Sequence, residues 1–313
     1  MKHLLSYSVY QDIGFFGKTP RELLNGMRCD GLEMLTSYEH PPESHLPLSA
    51  SVHLPYATDW MAAWKGKPYD MDDYQSLYYM YGRSPEGVVG NISKAIDLAS
   101  DISPPYGIMH LCNGSVPHLH CHEQPYTDDC VITEFAEVMN RVAASMPGGE
   151  PPFRILFENL WWPGLRMTDS KGFRLLDRKL EFSDWGLCID TGHLMSCFPR
   201  IYTEQDGIDT LADLFSGYDQ DIIDKVETVH FHYSASGEYR ETYEDVTPGD
   251  KPIKEFIVGM YPHIGKIDQH MPFSDPRCKE LLDILQPEYV THEMPGSAEG
   301  PIEDFIKQRS LLP

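Results

Sequence analysis

Eight short β-rich apolar runs alternate with longer helical stretches, and most of these runs stop on a histidine or a carboxylate. The runs cover residues 4–9, 31–35, 50–54, 106–111, 154–159, 185–190, 227–233 and 289–294. Such alternation argues for parallel βα units, and eight is the number that closes a (β/α)8 barrel. At 313 residues the chain suits one such domain, 1–313, with insertions.

The intervening segments carry helix signals. Thr19-Pro20-Arg21-Glu22, Ser84-Pro85-Glu86 and Thr127-Asp128-Asp129 each put an N-capping hydroxyl before an acidic first turn. Val88, Ile92, Ala95, Ile96 and Ala99 then follow one helical face, as do Val131, Phe135, Val138 and Val142. Ser274-Asp275-Pro276 and Pro301-Ile302-Glu303 open two later helices.

Three stretches exceed a minimal connection, and all follow the C-terminal ends of strands, where barrel enzymes place their chemistry. Residues 57–83 are rich in aromatics, among them Trp60, Trp64, Tyr69, Tyr74 and Tyr78, and read either as a packed cover or as a lid or substrate platform. Residues 112–126 hold His118, His120 and His122, a partner surface, an extra metal site or chance composition. Residues 234–266 carry Arg240, Lys251 and Lys254.

The formal charge of −23 opposes long-range approach to a nucleic-acid backbone, so nucleic acid is the less expected partner. No apolar run reaches membrane-spanning length, and the N-terminus reads as a first strand and not as a signal peptide. The seven cysteines form no Cys-x-x-Cys pair; Cys112 and Cys188 read as core thiols, and a reducing cytoplasm is the expected compartment. Self-association into a homo-oligomer is left open.

The ends of the runs form a series. The third gives His53, the fourth His110, the fifth Glu158-Asn159, the sixth Asp190 and His193, the seventh His230 and His232, and the eighth Glu293; Asp268 and His270 follow in the loop after the seventh. Taken alone, Asp190-Thr191-Gly192-His193 reads equally as a metal-ligand edge or as an Asp-capped helix start. In a closed barrel, however, these ends converge on one axis. Clustered carboxylates cannot all ionise unaided, and a divalent cation relieves that cost while taking imidazoles as neutral ligands. Mixed histidine and carboxylate donors favour manganese or zinc, one to three ions, over calcium.

On His53-Leu54-Pro55-Tyr56, His110, Glu158-Asn159, Asp190-Thr191-Gly192-His193, His230, Asp268-Gln269-His270 and Glu293, the chain resembles the xylose-isomerase-like TIM-barrel superfamily over nearly its whole length. That superfamily includes endonuclease IV, sugar epimerases and inosose dehydratases. Similarity to the epimerases implies one metal held by Glu158, Asp190, His230 and Glu293, with Glu158 and Glu293 as the acid/base pair and His193 touching substrate. Similarity to endonuclease IV implies three zinc sets: His53, His110 and Glu158; Glu158, Asp190, His230 and Glu293; and His193, Asp268 and His270. Three departures stand out: the interval from His230 to Asp268 is longer than endonuclease IV uses, the phosphate-gripping basic loops expected of a DNA enzyme are not apparent, and Arg240 lies ten residues beyond His230, farther than the epimerase arginine.

The first expectation is therefore a divalent-metal isomerase, epimerase or related lyase acting on a sugar-like small molecule. The carboxylate pair Glu158 and Glu293 would move the proton, and Trp161, Arg240 and His232 would contact substrate. The alternatives are a multinuclear zinc phosphodiesterase of the endonuclease IV type, or a metal-binding barrel serving as one subunit of a complex.

Overall fold

The computed structural model describes residues 1–17, 19–294 and 300–313. Its centre is a closed barrel of eight parallel strands in chain order, each pairing with the next and the last with the first. The strands are β1 Lys2–Ser8, β2 Gly31–Leu35, β3 Ser49–His53, β4 Tyr106–His110, β5 Arg154–Glu158, β6 Trp185–Asp190, β7 Val226–His230 and β8 Tyr289–His292. Every expected strand is present. β7 and β8 stop earlier than their apolar runs suggest, because Phe231-His232-Tyr233 and Glu293-Met294 continue past the last barrel pairing.

Strand side chains alternate between the barrel interior and the surrounding helices, so parity assigns each residue a side. Leu4, Tyr106, Ile108, Leu156, Cys188 and Tyr289 fill the barrel. One step toward the C-terminal end, Glu33 accepts hydrogen bonds from Ser51 Oγ (3.1 Å) and Thr291 Oγ1 (3.0 Å). The next inward step brings His53, His110, Glu158, Asp190 and His230 to the mouth, where the register sets His110 beside Glu158 and Asp190 beside His230. The outward positions, Val52, Met109, Phe157, Ile189 and Val229 among them, belong to the main apolar core under the helices.

The helix signals are realised. Ser84 and Thr127 cap the helices Pro85–Ala99 and Asp128–Ala144 with their hydroxyls, whereas Thr19 precedes Pro20–Gly26 without a side-chain cap bond. Asp275 caps a short turn at Pro276–Cys278 that leads into Lys279–Leu285, and the last helix is Gly300–Arg309.

The aromatic insertion is packed at its base. Its inner tryptophans are core: Trp60 is buried with its ring 5.1 Å from that of Phe135. Its outer edge is exposed, where Tyr79 and Tyr261 join hydroxyls at 2.8 Å and so tie this insertion to residues 234–266. The His-rich loop also docks on that third insertion. His120 packs on His263 at 3.8 Å between ring centroids, and His122 stacks on Tyr243 while pairing with Asp245 at 2.6 Å. All seven cysteines are free, and Cys112 and Cys188 are buried as expected. Among the described residues no helix is long and apolar enough to cross a membrane.

Candidate metal centre

β3 ends on His53, whose ring Nδ1 donates to the Leu54 carbonyl at 2.8 Å. That bond puts a proton on Nδ1 and directs Nε2 toward the axis, the atom through which this imidazole can ligate a metal. This Nε2 lies 3.1 Å from His110 Nε2 and 3.2 Å from Glu158 Oε2; His110 Nε2 is 3.3 Å from the same oxygen. Tyr56 stacks on the His110 ring with centroids 4.5 Å apart and fixes its plane.

At the end of β6, Asp190 fulfils both readings of its sequence. Its Oδ1 accepts the His193 backbone N–H at 2.6 Å and so caps the helix Thr191–Met195. Its Oδ2 faces inward, 2.9 Å from His232 Nε2 and 3.7 Å from His230 Nδ1. Asn159 locks the strand pair below by exchanging side-chain bonds with the Asp190 backbone N–H and C=O, each 2.9 Å. Gly192 is required by close approach: a Cβ there would land on the His232 ring.

The distant pair Asp268 and His270 does reach the cluster. The helices Gly237–Thr242, Ile253–Val258 and Tyr261–Ile267 absorb the long interval and return the chain to the barrel mouth. There Asp268 Oδ2 lies 2.8 Å from His270 Nε2 and 3.4 Å from His193 Nε2. His270 adopts a left-handed backbone, φ 50°, unusual for a non-glycine residue and often found where geometry serves a site. It stacks on His232 at 4.1 Å and presents Nδ1 3.5 Å from Glu293 Oε2.

His230 stands in the middle. Its Nδ1 is 3.4 Å from both Glu158 Oε1 and Glu293 Oε1. Its Nε2 lies 2.8 Å from Glu33 Oε1, in ion-pair contact although the ring N–H is not aligned for a straight hydrogen bond. Glu33 was not legible as a site residue; its only signal is inward parity for a carboxylate within the apolar run of β2.

These donors fit divalent cations. Glu158 Oε1, His230 Nδ1 and Asp268 Oδ1 are buried without a hydrogen-bond partner, a costly state for polar atoms unless they are ligands. Donor atoms of His53, His110 and Glu158 fall within 4.8 Å of one another, as do those of His193, Asp268 and His270, and of His232, His270 and Glu293. Cys188 stands near Glu158 and His230, but burial pushes its thiol upward and keeps it a protonated core group.

The electrostatics agree. Burial alone would raise the Glu158 and Asp268 carboxyls, yet His110 and His230 beside the first, and His270 and His193 beside the second, hold both well below the usual range. Burial alone would lower His193 and His270; Asp190 and Asp268 outweigh it for His193, and Asp268 lifts His270 to about 9. Carboxylates held in their charged form thus face the imidazoles across the barrel mouth.

Of the expected substrate contacts, Trp161 sits at the rim with its ring 5.2 Å from that of His193. His232 is fully buried against Asp190 and stands with the donor set. Arg240 lies farther out, lining a cavity beside the cluster that also takes in Trp161 and Arg166.

No protein-family model and no curated protein sequence matches the chain. Solved structures do match its fold. Endonuclease IV from Thermus thermophilus aligns over 99% of this chain and 98% of its own, with TM-score 0.53 and 13% identity. The 3-keto-D-glucoside 4-epimerase of E. coli covers the same shares at TM-score 0.53 and 12% identity. Mannonate dehydratase from Streptococcus suis serotype 2 aligns over 99% and 93% at TM-score 0.51 and 8% identity. The chain shares with these structures the fold of a (β/α)8 barrel.

Proposed function

We propose that this barrel is a multinuclear metallohydrolase that cleaves phosphoesters of small polyol-like molecules. One observation carries the reading: His193, Asp268 and His270 assemble beside the sets built on Glu158, although 37 residues separate His230 from Asp268. A single metal on Glu158, Asp190, His230 and Glu293 leaves Asp268 and His270, and His53 and His110 closing on Glu158, without a ligand role. The charge of −23 favours a small substrate over a nucleic-acid backbone.

Glu158, Asp190, His230 and Glu293 would hold the central cation, His53 and His110 a second with Glu158, and His193, Asp268 and His270 a third. When bound, divalent cations supply Lewis acidity toward phosphoryl oxygens and lower the pKa of water at the site. The chain supplies the rest. Glu158 spans two donor sets and holds them in register with its two oxygens. Glu293 keeps 13% side-chain exposure, against 1% for Glu158, and takes the proton of the attacking water at the open face. Trp161 and Tyr56 wall the mouth and limit the size of the esterified group.

A second reading has its own support. Glu158 and Glu293 both converge on His230 Nδ1 at 3.4 Å, so two carboxylates stand together at the mouth as the acid/base pair an isomerase or epimerase would use. Elemental analysis separates the two. Nearly three equivalents of zinc or manganese, with turnover of bis(p-nitrophenyl) phosphate, is expected, and Asp268→Asn should lower the content by about one equivalent. One equivalent, no phosphoester turnover and deuterium exchange into ketoses would replace the first reading by the second.

A further inference from the structure

Beside the cluster lies a cavity of about 320 Å³ lined by Trp161, Trp162, Arg166, Arg240, His122 and Tyr243, among others. Arg240 projects from the helix Gly237–Thr242 and is half-buried, with Nη1 inaccessible and without a hydrogen-bond partner. No carboxylate pairs with it among the described residues. In a chain with 48 acidic and 25 basic residues that is a specific omission. Its charged neighbour is a second guanidinium, Arg166, which gives Nε to Asp128 at 2.9 Å and keeps the remainder of its fork free of described partners. The nearby imidazoles are already engaged: His122 Nδ1 with Asp245, and His263 Nδ1 with the Tyr239 hydroxyl at 2.7 Å. Glu123 also lines the cavity but is exposed.

With Arg166 paired to Asp128 and Arg240 paired to no carboxylate, the Arg240 charge on this cavity is left without a counter-ion, and burial already weighs against its charged form. An oxyanion restores the balance, because a guanidinium fork matches pairs of carboxylate or phosphate oxygens in a bidentate manner. The cavity shares a wall with the metal centre. Trp161 lines it while packing on His193, and Ile267 lines it one residue before Asp268.

We propose that the Arg166–Arg240 cavity is an oxyanion subsite holding a carboxylate or second phosphate at the far end of the molecule whose reacting group lies at the metal centre. The substrate class is thereby an acidic one, a phosphoester that carries another oxyanion. That last step rests on the hydrolase reading above; the anion site itself does not.

The test uses the full chain with its own metal complement and the emission of Trp161 and Trp162 as reporter. Inorganic phosphate, D-glucuronate and neutral D-glucose are titrated in turn. Saturable changes with phosphate or glucuronate and none with glucose are expected, and the tighter of the two anions identifies the group. Arg240→Gln should weaken that binding roughly 10-fold or more, Arg240→Lys less, both at unchanged metal content. On the unaltered protein, the preferred anion should protect Arg240 from phenylglyoxal, read by peptide mass. Equal binding by wild type and Arg240→Gln, or no protection, would place the anion at the metals and overturn the subsite. One bound metal without phosphoester turnover, with the Arg240 effect intact, would remove the hydrolase reading and leave the subsite standing.

Discussion

His292 and Glu293 are adjacent at the end of β8 and belong to different worlds. Glu293 turns inward and meets His230 and His270. His292 turns outward, where its Nδ1 accepts from Gln308 Nε2 at 2.7 Å and its Nε2 faces His3 Nδ1 at 3.1 Å, under Phe305 of the last helix. In the outer pair burial drives both rings toward neutrality, His3 down to about 4 and His292 well below its ordinary value. In the inner cluster carboxylates overcome the same burial and lift His193 and His270. Strand parity thus sends His292 to the wall and its neighbour Glu293 to the donor cluster.

The hardest test of that division is Glu158→Gln. Glu158 joins two donor sets, so its loss should empty both and lower turnover by at least ~10³-fold, about 4 kcal/mol of transition-state stabilisation. Metal content and kcat measured on one preparation check this. A variant that kept its full metal content and activity would sink the central role of Glu158.

The outer pair gives the next largest effect. Both rings are neutral when folded, while an unfolded histidine titrates near ~6.5. Below that pH the unfolded chain binds more protons than the folded one, so stability is full above ~6.5 and falls as pH drops toward 4. For His3 the loss amounts to ~3 kcal/mol. Replacing His292 by Gln should flatten the difference between urea midpoints measured at pH 7.5 and 5, relative to wild type. An unchanged pH dependence would show that the pair does not carry it.

Smaller still is Gly192→Ala, which probes the inner side through packing alone. The added methyl collides with the His232 ring and must push it from Asp190. Metal affinity should fall ~10–100-fold, as for a lost outer-shell partner, with little change in fold by circular dichroism. Titration of the metal-stripped protein with zinc measures it, and wild-type affinity would mean that His232 does not orient Asp190.

The barrel was legible because both signals that define it are local: the alternation of runs and the residue at the end of each. The inner donors were legible for the same reason, since His53, His110, Glu158, Asp190 and His230 all close a strand. Asp268 and His270 were visible as a motif, but their arrival at His193 depends on three helices whose path no periodicity announces. Arg166 escaped notice because it lies in a loop and acquires meaning only from its nearness to Arg240. Glu33 was hidden differently: it sits in the middle of a strand, one inward step below the mouth, and looks like an isolated interruption of an apolar run.

That residue supplies the finest probe of the comparison. Glu33 is fully buried, is held by Ser51 and Thr291, and touches the far nitrogen of His230, so it can orient the ring whose Nδ1 faces Glu158 and Glu293. The outer counterpart is Gln308, a neutral amide behind His292. Glu33→Gln puts the outer type of partner behind the inner histidine, keeping the shape and removing the charge. Zinc affinity of the central set should fall about 10-fold, with the Ser51 and Thr291 contacts and the fold retained. If zinc bound the variant as it binds wild type, a neutral partner would serve as well inside as outside, and the carboxylate behind His230 would be a feature of packing alone.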